Sequence, residues 1–141
     1  MKKLFAFVLT LALLSLSLVN VYAALEEPTC EDYEISPYYV YTTSLNSVLA
    51  ISSTSGTCKS TVLAQSGVTK IVVSQKLQKK VDGTWENVST WKKTFTASYA
   101  VYTNTKSSLS SGTYRTRTVA KVYKGSNCEQ AAQNSSTVKI A

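Results

Sequence analysis

Few side chains in this 141-residue sequence can do covalent or acid–base chemistry: Cys30, Cys58, Cys128 and eight carboxylates, with no histidine anywhere. Without an imidazole, a Ser-His triad lacks its base and a zinc site lacks its commonest neutral ligand. Five of the acids, Glu26, Glu27, Glu31, Asp32 and Glu34, crowd together with no Lys or Arg among them. Of the other three, Asp82 belongs to a turn dipeptide and Glu86 follows it closely, leaving Glu129 alone. Paired-carboxylate hydrolysis is therefore unsupported. A cysteine nucleophile needs a base to form its thiolate, and Cys58 lies on an apolar strand face, where a thiol is core. A Lys–Asn isopeptide crosslink needs a buried acid beside the pair, and no candidate stands out. The reading is of a non-enzyme with no catalytic residue, metal ligand or cofactor. The chemistry left is thiol oxidation, and three cysteines allow at most one internal bridge.

Binding is better supplied than catalysis. From Ile35 onward the chain carries 13 basic residues against only Asp82, Glu86 and Glu129. Such a field draws in polyanions by long-range attraction: teichoic acids, an anionic membrane surface, acidic glycans or nucleic acid. Lysines on strand faces also keep a β protein soluble and block edge pairing, which is the plainer use. The candidate ligand-binding residues are Lys76, Lys92, Arg115, Arg117, Lys121 and Tyr123, a basic face with an aromatic among the charges, together with Trp91.

The elements that must position them are strands. Lys2 and Lys3, an apolar-rich stretch from Leu4 to Val19 and small residues near Ala23 make a secretory signal over residues 1–23, with cleavage expected at Ala23/Ala24. Residues 24–44 form an acidic arm with a possible edge strand, Tyr38 to Thr42. No later segment can span a membrane. Over residues 45–141 seven runs rich in Val, Ile, Thr and Tyr are separated by Gly, Ser, Asn and Asp: Leu45 to Ser52, Thr57 to Gln65, Thr69 to Val81, Thr84 to Ala97, Tyr99 to Lys106, Thr113 to Lys124 and Glu129 to Ile140. Short strands at that spacing predict an all-β, seven-stranded antiparallel sandwich, immunoglobulin- or fibronectin III-like.

Asp82-Gly83 predicts a type I′ hairpin, and Ser55-Gly56 and Ser111-Gly112 predict further turns. Ile71, Val73 and Leu77 share one face of the third run and Val72, Ser74, Lys76 and Gln78 the other. In the sixth run Tyr114, Thr116, Thr118, Ala120 and Val122 alternate with a basic face. Cys58, Val62 and Ala64 give the second run an apolar face, as Tyr99 and Val101 do for the fifth. With a plain hairpin register Trp91 falls beside Ser74 on the wet face, free to stack on a sugar; a bulge near Ser89-Thr90 turns it into the core.

Leu109 to Tyr114 reads as a tyrosine corner, the phenol bonding back to the turn before its strand. This topology packs the first, second and fifth strands on the third, fourth, sixth and seventh. It brings the arm and the end of the sixth strand to one end of the sandwich, so Cys30 with Cys128 is the easier bridge and Cys58 a buried free thiol.

The blocks Leu77-Gln78-Lys79-Lys80, Asp82-Gly83-Thr84-Trp85, Val88, Trp91, Ser111-Gly112-Thr113-Tyr114-Arg115 and Val122-Tyr123 resemble a group of small secreted proteins of clostridia and related Gram-positive bacteria. The resemblance covers most of the chain after residue 23. It implies export and an immunoglobulin-like sandwich, and carries over neither an activity nor catalytic residues. The expectation is a secreted binding module for an anionic cell-wall polymer, a glycan or a surface protein, with no nucleic acid partner in vivo. The alternative is a structural or self-associating extracellular protein that pairs through an exposed edge or the odd cysteine.

Overall fold

The computed structural model describes Cys30 and residues 39–141. The expected signal peptide and most of the acidic arm, Tyr38 included, lie outside the described residues. Eight strands follow in order: β1 (Thr42–Ser52), β2 (Ser55–Ala64), β3 (Lys70–Val81), β4 (Thr84–Phe95), β5 (Tyr99–Lys106), β6 (Gly112–Lys124), β7 (Asn127–Asn134) and β8 (Val138–Ile140). One sheet runs β1-β2-β5 and the other β4-β3-β6-β7, with β8 also paired to β6. All pairs are antiparallel. This is the three-on-four strand order of a fibronectin III-like sandwich.

The eighth strand comes from a break in the run Glu129 to Ile140. Arg117 pairs with Asn134 and Gly112 with Ile140, so β7 and β8 lie along the same side of β6 with one residue of slip between them. Ser135 bridges the gap: its amide donates to the Thr116 carbonyl at 2.8 Å and its hydroxyl accepts from the Thr116 amide at 2.9 Å. The slipped segment thus keeps the backbone partners that an interrupted ladder would lose.

Turn chemistry sets the connections. Asp82 (φ 47°) and Gly83 (φ 83°) take the positive φ angles of the type I′ turn and join Val81 to Thr84. The first hairpin turns at Ser53-Thr54, with Ser53 at φ 55°, and not at Ser55-Gly56, which already belong to β2. Gly56 is required for space: a Cβ there would lie 2.9 Å from the Leu109 side chain. β1 begins at Thr42, so the Tyr38 to Thr42 piece is no separate strand within the described residues and the sandwich starts three residues before residue 45.

The tyrosine corner is present. The Tyr114 hydroxyl donates to the Ser110 carbonyl at 2.7 Å, the Tyr114 ring is buried, and Leu109 packs in the same cluster. Gly112 has φ 144°, and a side chain there would collide with Lys79 Cε. Lys79 crosses this point to donate to Ser110 Oγ at 2.8 Å.

Alternation fills the interior from both sheets. One apolar cluster contains Val62, Ile71, Val73, Ala120 and Val122; a second contains Leu49, Cys58, Leu77, Leu109 and Tyr114. A polar belt lies between the sheets. Ser60 Oγ on β2 is 2.6 Å from Thr118 Oγ1 on β6, and Thr118 donates to Ser47 Oγ at 2.9 Å. Gln75 Nε2 donates to Ser60 Oγ at 2.7 Å and to the Tyr102 carbonyl at 3.1 Å, while Asn104 Nδ2 donates to Gln75 Oε1 at 2.9 Å. Five strands are joined through side chains that would be costly to bury unpaired.

On β5 the expected face is inverted. Ala100 is buried and Tyr102 packs on the core, whereas Tyr99 and Val101 face outward.

Two ties hold the amino-terminal side. Cys30 and Cys128, 98 positions apart in sequence, form a disulfide with Cα atoms 5.3 Å apart, and Cys58 remains a buried free thiol. In the chain-entropy model a closure of that length is worth about 4 to 5 kcal/mol. The Glu129 carboxylate accepts from three consecutive backbone amides, those of Val40, Tyr41 (2.8 Å) and Thr42 (3.0 Å), fixing the entry to β1 against β7.

Candidate functional site

The outer face of the larger sheet is where the predicted binding residues meet. Cross-strand register sets them in rows over β4, β3, β6 and β7. Lys92, Ser74, Val119 and Ala132 form one row; Thr90, Lys76, Arg117 and Asn134 the next; Val72, Lys121 and Gln130 flank the first on its other side. The small side chains Ser74 and Val119 leave a floor that the longer ones overtop. The result is an open recess of about 310 Å³ lined by Val72, Ser74, Lys76, Lys92, Val119, Lys121 and Gln130.

Three ammonium groups therefore stand around one shallow, partly apolar basin. Lys76 and Arg117 face each other directly across β3 and β6, an arrangement of like charges that costs stability in a sheet. Among the described residues the acids stand away from the Lys76–Arg117 pair. Asp82 is in the hairpin turn, Glu86 is opposite Lys79 in the β3–β4 ladder, and Glu129 holds the amides at residues 40–42. Lys121 also donates to the Cys30 carbonyl at 3.4 Å, which brings the disulfide to the rim of the basin.

The basic face continues toward the hairpin. Arg117 donates to Asn134 Oδ1 at 3.3 Å. Arg115 lies with its guanidinium carbon 4.2 Å from the centroid of the Trp85 ring, and its Nε donates to Gln78 Oε1 at 2.9 Å. Gln78 Nε2 in turn donates to Asn87 Oδ1 at 3.0 Å. Burial, and to a smaller degree the neighbouring Arg117 charge, pull the Arg115 pKa below its ordinary value; a guanidinium keeps its charge regardless.

Two of the expected residues do not join the face. Trp91 is turned inward. Leu77 pairs with Ser89 but Gln78 with Asn87, so Val88 is an extra residue, and this bulge, one position ahead of Ser89-Thr90, places Trp91 opposite the buried Gln75. Its indole packs on the Leu49–Tyr114 cluster. Tyr123 is on the outer side but buried, with Lys70 Nζ 4.2 Å above its ring, and serves as packing. The residue that sequence reasoning missed is Trp85. It precedes the bulge, so a plain hairpin register from Asp82-Gly83 already puts it outward beside Lys80.

Among the described residues no cluster of three or more His, Cys, Asp or Glu could hold a metal ion, and no helix is long and apolar enough to cross a membrane. The chain matches no family model, and no curated protein matches it.

Proposed function

We propose that this chain is an exported, non-enzymatic binding module that docks an anionic polymer, of cell wall or glycan, on the outer face of its larger sheet. The observation that carries the reading is the ring of Lys76, Lys92 and Lys121 around the 310 Å³ basin, with Arg117 set against Lys76. A bound anion offsets the repulsion between Lys76 and Arg117, which makes the face more stable occupied than bare. Export is supported by the disulfide, since such bridges persist in oxidising compartments.

Binding to purified Gram-positive cell wall, measured in low and in high salt, tests the proposal. Retention in low salt that is lost in high salt is expected; no retention at any salt concentration ends it.

A second reading, self-association, draws on the other sheet. Val48, Leu63, Tyr99 and Val101 are exposed on its outer face, and Leu63 is directly opposite Tyr99. The odd cysteine does not favour it, because Cys58 is buried. Sedimentation at rising protein concentration separates the two: a monomer throughout removes the second reading.

A further inference from the structure

We propose that Arg115, laid on the indole of Trp85, is a phosphate-binding subsite at the hairpin end of the basic face. The proposal rests on the anionic-polymer reading and names the group that the face takes.

Arg115 is held in two ways. The stack on Trp85 fixes the plane of the guanidinium, and the bond from Nε to Gln78 Oε1 fixes its rotation within that plane. Gln78 is itself held by Asn87, so a single row across β4, β3 and β6 sets the geometry. Of the five N–H donors of an arginine, one is spent on Gln78 and the two terminal nitrogens keep four. They form the fork that receives an oxyanion by two parallel hydrogen bonds. Because stacking and the Nε bond are already made, little side-chain freedom remains to be lost on binding.

The surroundings select among oxyanions. Lys80 Nζ is 6.0 Å from the centroid of the same indole ring, whereas Arg117 reaches the other way across the sheet, to Asn134 on β7. A carboxylate has two oxygens, and the Arg115 fork alone satisfies both. Inorganic phosphate, or the phosphomonoester at the end of a polymer, has a third oxygen that Lys80 can take while the Arg115 fork holds two.

The test is calorimetric titration of the disulfide-bonded protein with a synthetic glycerol-phosphate oligomer ending in a phosphomonoester and with an oligogalacturonate of equal charge, for wild type, Arg115→Lys, Trp85→Leu and Lys76→Gln/Lys92→Gln. Inorganic phosphate is added separately while the Arg115 Nε–H resonance is followed by nitrogen-15 NMR. Arg115→Lys keeps the charge but loses the fork; it is expected to weaken the phosphate oligomer roughly five- to tenfold, the worth of one to two hydrogen bonds. Its binding of the oligogalacturonate should change less than about twofold, and phosphate should shift the Nε–H signal in wild type. Trp85→Leu should give a similar selective loss, and Arg115→Lys keeps the test open if that variant fails to fold. Equal losses for both polymers, or wild-type affinity in Arg115→Lys, overturns the subsite. If Lys76→Gln/Lys92→Gln weakens binding while Arg115→Lys does not, the subsite alone fails; if wild type binds neither polymer, the broader reading falls with it.

Discussion

The hydroxyls of Ser60 and Thr118 meet at 2.6 Å midway between the two sheets, in the part of the interior where an apolar contact is the ordinary choice. Gln75 completes their hydrogen bonding and links them to Tyr102 and Asn104 of β5. Replacing Gln75 by Leu keeps most of the volume but strips the Asn104 amide and the Tyr102 carbonyl of their partner. A loss of roughly 2 to 3 kcal/mol is expected in urea unfolding. A loss under about 0.5 kcal/mol would show that the belt contributes little.

Tyr114→Phe removes only the phenol oxygen of a buried ring and leaves the Ser110 carbonyl without that donor. A cost of about 1 kcal/mol is expected, with unchanged far-ultraviolet dichroism. Wild-type stability in this variant would mean that the corner is held by packing alone.

Burial pushes the Cys58 thiol pKa up, with the Thr116 hydroxyl opposing in part. The folded state then holds its proton at a pH where the unfolded chain, with a pKa of about 8.5, has released it. Unfolded protein binds fewer protons, so stability is intact below that value and falls as pH rises through it, by up to about 1.4 kcal/mol per pH unit until the folded thiol ionises. Cys58→Ala should flatten the decline between pH 8 and pH 10 relative to wild type. Parallel stability curves for the two proteins would contradict this account.

Lys76→Gln with Lys92→Gln removes two charges from the basin rim. If both contact phosphates of a flexible polyanion, the slope of log affinity against log salt should become shallower by about 1.4, the value for two contacts on a single strand. An unchanged slope would place the polymer elsewhere on the molecule.

The hairpin, the corner and the disulfide were legible because each rests on a local or topological rule: Asp-Gly tolerates positive φ, a Leu-x-x-Gly-x-Tyr segment closes on itself, and the strand order brings Cys30 and Cys128 to one end. The faces of β3 and β6 were also clear, since Ile71, Val73 and Leu77 on the one and Tyr114, Ala120 and Val122 on the other alternate with residues such as Lys76, Arg115, Arg117 and Lys121. On β5 the test fails. Tyr99, Val101 and Tyr102 put apolar bulk on both faces, and the inner one includes Asn104, a polar residue that only the Gln75 belt makes tolerable. Trp91 depended on a single extra residue: the bulge at Val88 reverses every side chain beyond it, and Val-Ser-Thr shows no glycine to mark where the slip occurs. Gln75 was the hardest residue to foresee, because its burial depends on partners from β2 and β5 that no local pattern brings together.

The Cys30–Cys128 bond encloses all of β1 to β6 within one covalent ring. A protease that nicks the serine-rich loop at 107–111 would therefore release no fragment, because the two pieces stay joined through sulfur as well as through the sheets. Digestion on a gel should show an intact mass until thiols are added, and cleavage inside the ring need not cost the molecule its grip on whatever it holds.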